Sequence, residues 1–172
     1  MTDTIPIRPA TPDDAGVIAR HRAGMFRDMG QVTPEGYHAI VAIAESRLRE
    51  ALASGEYVAW LALAPDGKTV IGGAGAQRRL AFPHPHRFED GSPGVAEGRH
   101  AIVLNVYTEP EWRRRGVAEA LMRQVIRWAQ EERLDRLVLH ASDEGRPLYE
   151  RLGFTATNEM RYQAPLGGGR RL

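Results

Sequence analysis

Residues 105–121, Asn-Val-Tyr-Thr-Glu-Pro-Glu-Trp-Arg-Arg-Arg-Gly-Val-Ala-Glu-Ala-Leu, constrain the fold more than any other stretch. They read as the end of a buried strand, a short polar turn and the opening of an amphipathic helix. Arg113, Gly116 and Ala118 then sit where strand passes into helix. The first turn of a helix leaves backbone N–H groups without partners. Those groups and the helix dipole favour a bound anion. Gly116 has no side chain, so a phosphate can approach the backbone closely. Ala118 keeps the next turn small, and Arg113, Arg114 and Arg115 add forked donors suited to phosphate. An ordinary helix start with solvated arginines reads the same six residues equally well. The flanking sequence has to decide.

Residues 101–107 are an apolar run (Ala-Ile-Val-Leu-Asn-Val-Tyr) that reads as a strand. After the turn, Ala118, Leu121, Met122, Val125, Ile126, Trp128 and Ala129 recur on one side. Glu119, Arg123, Arg127, Gln130 and Glu131 take the other, which is a helical stripe. Residues 134–141 read as a further strand. Strand, turn, helix and strand make a βαβ unit, which implies parallel strands and a right-handed crossover.

Upstream, residues 4–8 alternate as a first strand. Thr11-Pro12-Asp13-Asp14 is a helix start, followed by apolar residues at Ala15, Ile18, Met25, Phe26 and Met29 and a stop at Gly30. Thr33-Pro34-Glu35 repeats the signal for a second helix running to about Gly55. Tyr57 to Leu63 is unbroken apolar sequence, the mark of a strand covered on both faces. Asp66-Gly67 signals a hairpin. The returning strand, 69–79, is crowded with small residues. Its Gly73-Ala74-Gly75 lacks the third glycine and the following helix of a dinucleotide fingerprint, and that reading is rejected. The small residues instead permit close packing or make room for a ligand. Residues 80–98, with Pro83, Pro85 and Pro93, read as a long irregular, substrate-facing loop. His84 and His86 lack a third ligand at a helpful local spacing, so no metal site is expected.

Two motifs stand in order around the βαβ unit. Arg113-x-x-Gly116-x-Ala118 resembles the Gln/Arg-x-x-Gly-x-Gly/Ala signature of the GNAT superfamily of acyl-CoA-dependent N-acetyltransferases. Leu148-Tyr149-Glu150-Arg151-Leu152-Gly153-Phe154 closely resembles that family's Leu-Tyr-Glu-Lys-Leu-Gly-Phe, with Gly153 as a helix C′ residue and Phe154 opening a last strand toward Tyr162. The resemblance implies a single α/β domain over 1–172, with a core at about 4–164 and a flexible tail at 165–172. Its central sheet would be mixed, twisted and flanked by helices. It further implies that Arg113, Arg114, Arg115, Gly116, Val117 and Ala118 hold the pyrophosphate of acetyl-CoA. Backbone groups of Val106, Tyr107 and Thr108, at a bulge where the strand splays from its neighbour, would pair with the pantetheine arm. The N–H of Val106 or Tyr107 would polarise the thioester carbonyl, and Tyr149 would give the departing thiolate a proton. Ser142 stands where many members carry an asparagine near CoA. No acid lies between Ala101 and Thr108, where many carry a glutamate base. That role stays open between His100, Glu97, His140 and a chain of waters.

The implied activity is transfer of an acetyl group from acetyl-CoA to a primary amine of an unidentified small molecule or peptide. Direct attack in a ternary complex is expected, because the chain has no cysteine to serve as a covalent nucleophile. A non-catalytic acyl-CoA sensor on the same fold is the first alternative, and an arginine-rich interaction protein the second. A net charge of +1 argues against broad nucleic-acid affinity. The sequence has no apolar run of transmembrane length and no basic-then-apolar leader, so no membrane partner is expected and a cytoplasmic location is the default. A homodimer through an edge strand is open.

Overall fold

The computed structural model describes residues 5–161 and Gly168. Their contacts divide into two units, Met1–His140 and Ala141–Leu172. In the first unit the strands are β1 (Ile7–Pro9), β2 (Tyr57–Leu63), β3 (Val70–Leu80), β4 (His84–Arg87), β5 (Pro93–Ala96), β6 (Arg99–Thr108) and β7 (Arg136–Val138). Its helices are α1 (Ala15–Asp28), α2 (Pro34–Ser54) and α3 (Val117–Glu131). The second unit holds α4 (Arg146–Arg151).

Five strands form one sheet in the order β1-β2-β3-β6-β7. All neighbours are antiparallel except β6 and β7, which run parallel on either side of α3. The sheet is therefore mixed, as the βαβ reading requires.

Strand β2 shows why its sequence is apolar throughout. Tyr57, Ala59 and Leu61 pack with Ile18 of α1 and with Leu48, Ala51 and Leu52 of α2. Trp60 points the other way, its ring 5.8 Å from that of Trp128 on α3. Alternate residues of a strand face opposite sides, so α1 and α2 cover one face and α3 the other. Thr33 caps α2 by accepting the Gly36 N–H on its Oγ1 at 3.2 Å, and Gly55, at φ 75°, ends it. In the small-residue strand, a Cβ on Gly75 would stand 2.1 Å from the Tyr57 hydroxyl. Close packing is thus what that glycine provides.

Three expectations are corrected. Residues 80–98 are not an irregular loop: β4 and β5 pair within them as a separate two-stranded ribbon, His84 opposite Ala96 and Arg87 opposite Pro93. Both strands have an outer edge, where proline costs no ladder bond. Strand β7 covers only Arg136–Val138 of the expected 134–141. The last expected strand does not form over residues 154–161, and its end at Tyr162 lies outside the described residues. Helix α4 does end as read, with Gly153 at φ 94°.

Candidate active site

Strand β6 carries the site. Its pairing with β3 slips by one residue, Gly73 facing Tyr107 and Gly75 facing Leu104. The extra residue falls at Asn105, whose φ is 59°. A left-handed residue opposite a register slip is a β-bulge, which bends a strand and re-aims its groups. On its other edge, β6 pairs with β7 only from His100 to Ile102. Beyond Ile102 the edge of β6 that faces away from β3 has no β7 ladder. Val106, Tyr107 and Thr108, the expected pantetheine partners, all lie in this parted stretch, just past the bulge.

Past Thr108 the chain turns tightly. Glu109 donates its N–H to the Ile71 carbonyl at 2.9 Å, and Pro110–Trp112 form a 3-10 turn. Arg114 at φ 63° and Gly116 at φ 81° are both left-handed. Ala120 N–H bonds the Gly116 carbonyl at 2.9 Å, so the amides of Val117, Ala118 and Glu119 precede the first helical bond. A Cβ on Gly116 would meet nothing within 4 Å among the described residues. The turn is therefore an open, amide-lined corner at the positive end of a helix, and it fits a diphosphate.

The three arginines have different surroundings. The Arg113 Nε donates to the Thr108 carbonyl at 3.0 Å, its Nη2 bonds the Asp28 carboxylate, and its guanidinium lies 5.6 Å over the Tyr107 ring. Asp28 holds its pKa above the ordinary arginine value. This side chain straps the end of α1 to the end of β6. Arg115 stacks on Trp112 at 5.1 Å, and Arg114 is exposed. Those two supply positive charge to the corner.

Sequence reading missed two buried polar groups on the α1 face. Asn105 is 5% exposed and joins Arg22 to Tyr57. His21 is 2% exposed, its ring 5.0 Å from Tyr107 and its Nε2 3.3 Å from the Glu109 Oε1. Burial, with the Arg20 charge, lowers its pKa to about 4. The Glu109 carboxylate does not reverse this, because it is partly exposed and makes no well-aligned hydrogen bond to the ring. Burial, with Glu111 beside it, raises the Glu109 pKa. The only signals for the two missed groups were a polar residue inside an apolar strand and a histidine on a helix.

A depressed histidine pKa means that the unfolded chain takes up the proton first. Stability from neutral His21 is then full above pH 6.5 and falls as pH drops from 6.5 toward 4, by about 3 kcal/mol in all. Urea midpoints at pH 7 and pH 4.5 should show wild type losing more stability than His21→Leu. Equal losses would contradict the assignment.

His100 lies elsewhere. It sits in the closed part of β6, opposite Arg136, with its ring 5.1 Å from that of His84. Burial, Arg136 and His84 lower its pKa. Five residues of strand, about 17 Å, separate it from the bulge. A groove of about 500 Å³ lies at this end, lined by Arg78, Arg79, Arg99, Glu132 and His100 among others. The structure thus does not bring His100 to the parted edge. No group of three or more potential metal ligands occurs among the described residues. None of the described helices is long and apolar enough to cross a membrane.

In the second unit, the Ser142 carbonyl accepts the Arg146 N–H at 2.9 Å, and its Oγ accepts the Gly145 N–H at 3.2 Å. Ser142 thereby organises the start of α4. Gly145 leaves room for Tyr149, whose Cε2 would stand 2.9 Å from an added Cβ. The Tyr149 and Phe154 rings meet edge to face at 6.1 Å. Burial raises the Tyr149 pKa above 10, so the phenol keeps its proton at neutral pH.

Residues 26–154 match the Acetyltransferase (GNAT) family. The chain belongs to this family. Aminoglycoside N(6')-acetyltransferase type 1 of Stenotrophomonas maltophilia is 28% identical over 165 residues, covering 91% of this chain and 90% of the relative. A GCN5-related N-acetyltransferase from Ralstonia eutropha has the same fold at a TM-score of 0.80 and 30% identity, covering 96% of this chain and all of its own. A predicted acetyltransferase from Clostridium acetobutylicum, solved with acetyl-CoA, reaches 0.75 at 24% identity, over 94% of this chain and 96% of its own. The chain is accordingly an acyltransferase by family, on a GNAT fold.

Proposed function

We propose that this protein transfers an acetyl group from acetyl-CoA to a primary amine by direct attack in a ternary complex. The observation that carries the reading is the course of β6. It leaves β7 after Ile102, bulges at Asn105, and ends in an open turn whose amides and arginines suit a diphosphate. The thioester supplies the activated acyl group. The chain's own groups do the rest. Amides of residues 116–118, with Arg114 and Arg115, seat the diphosphate, while Arg113 braces the turn from behind. Backbone groups of Val106, Tyr107 and Thr108 hold the pantetheine arm along the parted edge. The Val106 or Tyr107 N–H polarises the carbonyl. As the amine nitrogen bonds to the acyl carbon and the C–S bond breaks, Tyr149 protonates the sulfur. The proton shed by the amine passes to water, and water returns one to the Tyr149 phenolate, so no net proton is consumed. Ser142 supports the segment that carries Tyr149.

The test is a thiol-release screen with acetyl-CoA against aminoglycosides, polyamines, amino acids and peptide N-termini. Aminoglycosides come first because one curated relative is named for them. In the same preparation, acetyl-CoA at a hundredfold excess over its Kd should raise Tm by about 5–10 °C. No shift at millimolar ligand would overturn the reading. A shift with no thiol released by any amine would favour a non-catalytic acyl-CoA sensor.

A further inference from the structure

We propose that Arg22, Asn105 and Tyr57 form a side-chain clamp that fixes the bulge of β6 and so aims the Val106 amide at the acyl carbonyl. They are positioning residues, and the inference rests on the acetyl-CoA reading above. The backbone angles of Asn105 set the plane of the peptide that carries the Val106 N–H. With φ at 59°, Asn105 turns that plane away from regular strand geometry. Asparagine visits the left-handed region more readily than most residues, but it does not prefer it. Something has to hold it there.

The side chain does so from two directions. The Asn105 Oδ1 accepts from Arg22 Nη1 at 2.8 Å, and its Nδ2 donates to the Tyr57 hydroxyl at 2.9 Å. Arg22 can only donate, which fixes the amide orientation and leaves the tyrosine oxygen as acceptor. Each anchor is itself held. The Arg22 guanidinium lies 5.1 Å over the Phe26 ring on α1. The Tyr57 phenol is buried in β2 and fills the slot over Gly75, the residue paired with Leu104 just before the bulge. Two elements, α1 and β2, therefore converge on one buried amide of β6 across sequence separations of 83 and 48 residues.

Glycine at position 105 would adopt the same φ without steric cost and bury no polar group. The chain instead buries an amide that must keep both partners satisfied. Strained positions over-determined by their surroundings cluster where geometry serves chemistry. Here the over-determined residue adjoins the amide that the reaction needs.

The test compares acetyl-CoA with S-ethyl-CoA, a thioether of similar size that lacks the carbonyl. Calorimetry should show wild type binding acetyl-CoA about fivefold more tightly, the worth of one amide hydrogen bond. Asn105→Gly leaves the left-handed conformation accessible without strain but removes the clamp that holds it. Tyr57→Phe keeps the asparagine and removes one anchor. In both, the preference should fall toward one while S-ethyl-CoA affinity stays within about twofold, and the double variant should lose no more than Asn105→Gly alone. A packing role for these residues would lower Tm and leave the ratio intact. A preference retained in both folded variants, or absent in wild type that binds both ligands, would overturn the clamp and spare the proposed function. Wild type that binds neither ligand would overturn both.

Discussion

Gly116→Asp is expected to weaken acetyl-CoA binding by about a hundredfold. Two effects add. The residue is left-handed at φ 81°, where a side chain carries a conformational cost. The larger effect is charge. A carboxylate about 4 Å from a phosphate meets a repulsion of about 4 kcal/mol at an effective dielectric of 20, reduced by salt. The site has room, with nothing described within 4 Å of the new Cβ, so the protein should still fold. Gly116→Asn is the matched control: it has similar size and tolerance of the conformation, and no charge. Calorimetric affinities in low and high salt should place the Asp and Asn variants far apart in the first and nearer in the second. Unchanged affinity in the Asp variant would remove this corner as the diphosphate seat.

Tyr149→Phe is expected to cut kcat by about a hundredfold while acetyl-CoA affinity stays within about twofold. The phenylalanine ring preserves the contacts with Gly145 and Phe154, so the segment that carries it keeps its packing. What disappears is one O–H, held protonated by burial. Loss of turnover without loss of binding is the signature of a group needed only as the C–S bond breaks. The measurement is steady-state thiol release with the best amine from the screen, alongside a titration with acetyl-CoA. Full activity would remove Tyr149 as the acid.

The unequal legibility of this sequence has physical causes. Tyr57–Leu63 was readable to the residue because a strand covered on both faces has no polar interruptions, and α2 because Thr33 and Gly55 mark its ends. The turn before α3 was readable because glycine at a helix start has few local alternatives. The β4–β5 ribbon was hidden by its prolines, which argue against strands except at free edges. Strand β7 is short because only three of its residues stay in register with β6. The strap from Arg113 to Asp28 and the clamp on Asn105 join residues 85, 83 and 48 positions apart. No local pattern encodes such pairs. The motif therefore marked the turn before α3, while the partners of Arg113 appeared only once α1 had packed against β6.

The β4–β5 ribbon belongs to no part of the main sheet. Its two ends meet where Leu80 pairs with Arg99 and the Ala81 N–H bonds the Gly98 carbonyl at 2.8 Å. Whatever lies beyond that neck can lengthen or shorten at little entropic cost, since loop closure depends only weakly on length. It is thus a natural grafting point, where new surface can be installed without redrawing the scaffold beneath it.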